Sequence, residues 1–242
     1  MIRAASWCSP ANCGVVTLDG AGDQWSTRPL LSNDELTKII GRTIKYLSRM
    51  TGECRNSLCA AGLAMKPCGW LPKSQERPEN RSASASRLNP MHAGLLAAGY
   101  EGCLAADQTY FRDYLASGRS LGRGNLFIYT LPTSTPGELA IALTLTGPSM
   151  HIEESANPLA ALSRHANQMI ADGEADAMLG IWSDATTSIC LAIDGATGTG
   201  LLMPDASNPA AMALRLASLS HESHTHRGES SLVPSPGTLG EG

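Results

Sequence analysis

Aromatic side chains are scarce: Phe, Trp and Tyr together make up 5% of the 242 residues. With Ala and Gly plentiful, that scarcity excludes an aromatic binding platform and favours helices packed closely on a sheet. An excess of positive charge is also missing. Lys and Arg number 18 against 22 Asp and Glu, for a net charge of -4, so no field gathers nucleic acid or anionic lipid. No run of 18 apolar residues occurs, which excludes a bilayer-spanning helix. The opening stretch MIRAASWCSPANC lacks the apolar core of a secretory signal, so the expected location is the cytoplasm. The C-x2-C spacing of zinc knuckles is absent too. Seven cysteines remain, an odd number that suggests reduced thiols. Cys8/Cys13 and Cys54/Cys59 repeat a C-x4-C spacing that two halves of a zinc site would share, but without the tighter knuckle they read as free thiols.

What is present suits a globular chain, 43% hydrophobic and 17% charged, long enough to bury a proper core. DELTKIIGRTIKYLSR (34–49) puts Leu36, Ile39, Ile40, Ile44 and Leu47 near one helical face, with Ser32 or Asn33 as cap. Residues 66–90, rich in Pro, Ser, Arg and Asn, read as a loop insertion. AGLLAAGY (93–100) reads as a buried strand. A helix follows over 103–118 with Leu104, Phe111 and Leu115 on one side. NLFIYT (125–130) reads as extended, TPGELAIALTL (135–145) as a helix and SMHIE (149–153) as a strand. NPLAALSRHANQMIADG (157–173) is an amphipathic helix with Leu159, Leu162, Ala166, Met169 and Ile170 facing inward. ADAMLGIW (175–182) and SICLAID (188–194) complete the strands. Strands alternating with helices indicate an α/β layered fold. Residues 1–90 otherwise carry no clear assignment.

Several residues invite a chemical reading and are better explained without one. GATGTG (195–200) has a phosphate-loop look but no helix or lysine after it, so it reads as a turn and implies no cofactor. Residues 220–242 lose periodicity and read as a disordered tail, and its His221, His224 and His226 as a tail rather than a metal site. Cys190 sits in a buried-strand pattern. Cys103 stands at a helix start, where a thiol can be activated, yet no base is expected beside it. His151 and His165 read as structural, and His92 has no visible partner.

From Ala93 to Asp194 the order of pieces resembles the N-terminal half of β-ketoacyl-acyl-carrier-protein synthases, of the thiolase fold. AGLLAAGYEGCLAADQTYFRDYLASG is similar to that half's strand, glycine turn and helix. NLFIYTLPTSTPGELAIALTLTGPSMHI is similar to the segment ending in the Gly-Pro-Ser turn and the strand before the nucleophile. NPLAALSRHANQMIADGEADAMLGIWSD resembles the nucleophile helix and the next strand. The resemblance implies a layered α/β/α fold with a mixed sheet, one synthase-like domain over 1–219 and a tail over 220–242.

It also exposes departures. The family's nucleophilic cysteine falls on Ala156 when counted from Gly147-Pro148-Ser149, and on Ser155 when counted back from Leu159-Ala160-Ala161-Leu162. Alanine carries no acyl group, and a serine hydroxyl is a poor nucleophile without a base. Glu153 and Glu154 suit a helix N-terminus but would weaken a neighbouring thiolate. The two histidines that the family's C-terminal half contributes have no counterpart here. The resemblance therefore implies no catalytic residues, only a degenerate position at Ala156 or Ser155. It implies a non-catalytic partner in fatty-acid or polyketide-type biosynthesis, working with acyl carrier protein and a complete ketoacyl synthase. Family members are dimers joined along the strand before the nucleophile, here SMHIE, and a half-molecule is expected to leave one layer uncovered. A residual acyltransferase or hydrolase, a split synthase half and an unrelated α/β binding module stay open as alternatives.

Overall fold

The computed structural model describes residues 1–10, 12–19, 22–28, 31–71, 92–99, 103–120, 122–154 and 156–196. The turn residues 197–200, the tail 220–242 with its three histidines, Ser155 and most of the 66–90 insertion lie outside them. Seven strands are described: β1 (Ile2–Cys8), β2 (Cys13–Asp19), β3 (Gly22–Arg28), β4 (Ala93–Gly99), β5 (Ser149–His151), β6 (Ala177–Ser183) and β7 (Ser188–Asp194). Six α-helices accompany them: α1 (Asn33–Ile40), α2 (Gly52–Met65), α3 (Leu104–Ala116), α4 (Gly124–Phe127), α5 (Ser134–Leu143) and α6 (Pro158–Ala171).

The strands form one mixed sheet in the order β3-β2-β1-β7-β6-β4-β5. β4 runs parallel to both β5 and β6, while β7 pairs antiparallel with β6 and β1, and β1–β2–β3 form an antiparallel meander. The turn between β6 and β7 is set by Asp184, whose Oδ1 accepts from the backbone N–H groups of Thr186 at 2.8 Å and Thr187 at 2.7 Å. Such side-chain capture of the backbone is the usual reason for Asp at a turn.

Alternation along each strand divides the core in two. Ala177, Leu179 and Ile181 of β6, with Cys190 and Ala192 of β7, face α1, α2 and α5. Met178 and Trp182, with Ile189, Leu191 and Ile193, face α6, which contributes Leu159, Leu162 and Ala166. Met169 and Ile170 pack on the same cluster from its edge. The result is the α/β/α layering with a mixed sheet that the sequence implies. β4, β6 and β7 are buried almost throughout, so neither face of the central sheet stands open. The uncovered layer expected of a half-molecule is not found among the described residues; the exposed apolar surface lies elsewhere.

Several local readings are corrected. The helix read over 34–49 stops at Ile40, because Gly41 takes the left-handed conformation (φ 80°) and caps it; a single 3-10 turn follows at Leu47–Arg49. Ser32 and Glu35 form a reciprocal capping box at its start. Residues 125–130 are helical, as α4 and a 3-10 turn, since a short apolar run does not by itself distinguish helix from strand. The described start of the insertion is packed: Trp70 is buried, and its N–H donates to the Met65 carbonyl. Leu104, Phe111 and Leu115 do share a face of α3, but α3 buries no residue, so that face is surface rather than core.

Candidate functional site

The chain order through the parallel strands creates a crevice. From β4 the chain passes through α3, α4 and α5 and returns to β5 on one side of β4. It then passes through α6 and returns to β6 on the other side. α5 lies on one face of the sheet and α6 on the opposite face. The strand order reverses at β4, and in open α/β sheets ligands sit beyond the carboxyl ends of the strands at such a reversal. A cleft of about 200 Å³ opens there, against Ala97 and Ala98 of β4, His151 of β5 and Ser183 of β6. The first turn of α2 closes one side through Thr51, Gly52 and Glu53. α3 supplies Cys103, Ala106 and Thr109, and the following segment supplies Leu126, Tyr129 and Pro136.

The polar groups in this cleft are acids, thiols and hydroxyls. Ser183 Oγ donates to Glu53 Oε1 at 2.8 Å. Burial raises the Glu53 carboxyl above its ordinary range; the Ser183 hydrogen bond opposes this, and Asp184 adds to it. Cys103 Sγ donates to the Thr130 carbonyl at 2.8 Å and to Asp107 Oδ2 at 3.5 Å. Burial, then Asp107, and further down Glu53, push that thiol up. A thiol held as a donor between acceptors is a poor nucleophile, so the helix-start position of Cys103 does not activate it. Burial, then Cys54 and Glu138, push the Tyr129 hydroxyl up to about 12. His151 is held below its ordinary range by burial, with Glu153 opposing. Reading His151 as structural is thus incomplete, because it is half-buried in the cleft wall. His165 is exposed on α6, and His92 is exposed before β4.

Ala156, one of the two positions to which the resemblance assigns the nucleophile, precedes α6, which packs on the opposite face of the sheet from α5. Ala156 is exposed, one residue ahead of Asn157, whose Oδ1 caps α6 by accepting from the Ala160 N–H at 3.3 Å. The Ala156 N–H donates to Glu154 Oε1 at 2.9 Å. This amide is therefore occupied by a carboxylate of its own turn. Ala156 does not line the cleft.

The thiols rearrange the C-x4-C reading. Cys8 and Cys13 face each other across β1 and β2, and Cys59 of α2 hydrogen-bonds to both. Cys54 lies instead beside Thr135 and Glu138, where burial, then Glu138 and Glu53, raise it to about 12. All seven cysteines are free, and among the described residues no group of three or more His, Cys, Asp or Glu is placed to hold a metal ion. No described helix is long and apolar enough to cross a membrane.

No family model matches the sequence, and no curated protein matches it. Solved structures do. One is a chain of a ketosynthase (ApeO) in complex with its chain length factor (ApeC) from Xenorhabdus doucetiae. It is similar at 11% identity and a TM-score of 0.51, over 91% of this chain and 91% of that one. Another is a chain of the ishigamide ketosynthase/chain length factor, at 14% identity and a TM-score of 0.51, over 84% of this chain and 64% of that one. At these identities the likeness is one of fold. The doubly wound strand order, the two helical layers and these neighbours together assign a thiolase-like, ketosynthase-type α/β fold.

Proposed function

We propose that this chain is a non-catalytic, ketosynthase-like partner subunit in polyketide- or fatty-acid-type biosynthesis, acting beside a complete ketosynthase that accepts chains from acyl carrier protein. The observation that carries this reading is the N-terminus of α6. Where the resembling family holds its cysteine, this chain has Ala156 or Ser155, preceded by Glu153 and Glu154, with the Ala156 amide bonded to Glu154. An acyl-transfer site needs a nucleophile and free backbone donors for the developing oxyanion. An alanine side chain is inert, a serine hydroxyl is a poor nucleophile without a base, and the Ala156 donor is already engaged. Cys103, the thiol at the nearby cleft, is held protonated by its neighbours.

The surface supports an association role. Phe111 is 58% exposed, Ile141 74% and Met150 42%, and Leu104, Leu115, Phe127, Ile128 and Leu131 are exposed as well. They lie on α3, α4, the 3-10 turn Ile128–Thr130, Leu131 after it, α5 and the edge strand β5, elements that pack successively on one another. Clustered apolar exposure of this kind marks an interaction site. By contrast, the outer face of α6 carries exposed Arg164, His165, Asn167 and Gln168, which disfavours a second synthase half packing there and so disfavours the split-synthase alternative.

Co-expression with an intact ketosynthase of the same host tests this. The two chains are expected to co-purify, and incubation with acyl-carrier thioester is expected to add acyl mass to the ketosynthase and none to this chain. An acyl adduct on Ser155 or Cys103 overturns the non-catalytic assignment; failure to associate with any ketosynthase overturns the partner assignment.

A further inference from the structure

The cleft beyond β4, β5 and β6 has an electrostatic character that the partner reading does not use. Among the described residues its wall holds one acidic side chain, Glu53, and no Lys or Arg. Among the described residues the hydrogen bond from Ser183 is the sole side-chain partner of Glu53, and the two ion pairs, Arg3–Asp194 and Arg123–Asp113, do not involve it. The ionisable groups that approach the cleft from the packed elements are acids, thiols, a phenol and an imidazole. They are Cys54 on α2, Cys103 and Asp107 on α3, Tyr129, Glu138 on α5, His151 on β5 and Asp184 after β6. Burial holds the His151 imidazole below its ordinary range, with Glu153 opposing. The rest of the wall mixes the hydroxyls of Thr51, Thr109 and Thr135 with the apolar Ala97, Ala98, Ala106, Leu126, Leu131 and Pro136.

A carboxylate in such a recess, with no cation beside it among the described residues, is an uncompensated charge there, and such charges are ordinarily paired. The first turn of α2 favours it through the helix dipole, an effect too small to replace a counter-ion. The space itself, about 200 Å³, exceeds the roughly 150 Å³ that admits a benzene-sized molecule. We propose that this cleft is a binding site for a small organic cation, a primary ammonium on a short apolar body, with its charge on the Glu53 carboxylate and its carbons against Ala98, Ala106 and Leu126. An anion is disfavoured by Glu53, and a bulky ligand by the volume. The proposal stands apart from the partner reading, since it concerns the isolated chain.

The test is a titration of the isotope-labelled full chain at constant ionic strength and pH 7.5, followed by amide shifts of Gly52, Ala98 and Ala106. The probes are butylammonium chloride, butanol and sodium butyrate, which share a carbon skeleton and differ in charge. Butylammonium is expected to bind at least about tenfold more tightly than butanol, and butyrate to produce no saturable shift. Glu53→Gln is expected to bring butylammonium to the level of butanol, and Ala106→Leu to abolish the shifts of both by filling the cleft. Equal binding of butanol and butylammonium, butyrate binding, or ammonium binding unchanged in E53Q would each overturn the proposal. Because the A106L variant and the three wild-type titrations leave Glu53 in place, the outcome does not depend on how E53Q folds.

Discussion

At the scale of single residues, Glu53 is where the fold accepts an electrostatic cost. Its carboxyl is raised above the ordinary 4.5 by burial, against the Ser183 hydrogen bond and with Asp184 adding. Between 4.5 and the raised value, the folded chain therefore binds the proton more firmly than the unfolded chain does. Stability from this group is present at low pH and is lost as pH rises through the folded value. Glutamine keeps an oxygen to accept from Ser183 while removing the charge. Glu53→Gln is thus expected to raise the melting temperature at pH 7.5 by about 2–4 °C, with the gap closing as pH falls toward 4.5. His151 acts in the opposite sense, losing stability as pH falls below 6.5, but it is common to both proteins and cancels in the difference. Scanning calorimetry of the two proteins across that range decides it: a lower melting temperature for E53Q at pH 7.5 would show that the charge is compensated in the fold.

At the scale of elements, legibility followed how sharply each element separates an apolar from a polar face. α6 was readable because Leu159, Leu162 and Ala166 repeat at helical spacing and Asn157 and Gly173 bracket it. β6 and β7 were readable as short apolar runs. α2 was not: ten of its fourteen residues are buried, with Ala, Cys, Ser and Gly on every side, so no stripe marks it. β1 was hidden for a related reason, since IRAASWC is built of small residues and lacks the β-branched alternation of a typical strand. The cleft was half legible. Cys103 and His151 were singled out, but Glu53 lies in α2, and its approach to Ser183 spans 130 residues of sequence. The Gly-Pro-Ser turn was recognised by its residues, and the structure gives its reason. A Cβ on Gly147 would stand 2.8 Å from the backbone of Ala93 and Gly94, where Gly147 N–H also donates to the Ala93 carbonyl. Backbone on both sides cannot yield as a side chain would, so Gly147→Ala is expected to cost about 1–3 kcal/mol in urea unfolding. A loss below about 0.5 kcal/mol would mean that β4 and the turn separate easily.

At the scale of the whole molecule, the sheet is satisfied and its rim is not. The central strands are buried on both faces, whereas α3 buries nothing and exposes Phe111, and Ile141 of α5 and Met150 of β5 are exposed as well. β5 pairs with β4 on one edge and ends the strand order on the other, where no strand among the described residues pairs with it. An open edge beside an apolar rim is a combination that chains ordinarily blunt with charge or cover with a partner. Ser149–His151 carries no Asp, Glu, Lys or Arg, and its His151 is half-buried in the cleft wall. Placing carboxylates at Phe111 and Ile141 should therefore act on association and spare the fold, since exposed substitutions of this kind usually change stability by no more than about 0.5 kcal/mol. The double variant Phe111→Asp/Ile141→Asp is expected to lose co-purification with a ketosynthase and to sediment as a monomer at concentrations where the wild-type chain associates, at an unchanged melting temperature. If association survives both carboxylates, the contact surface lies away from β5 and α3; if the melting temperature falls by several degrees, those side chains hold the fold together rather than a partner.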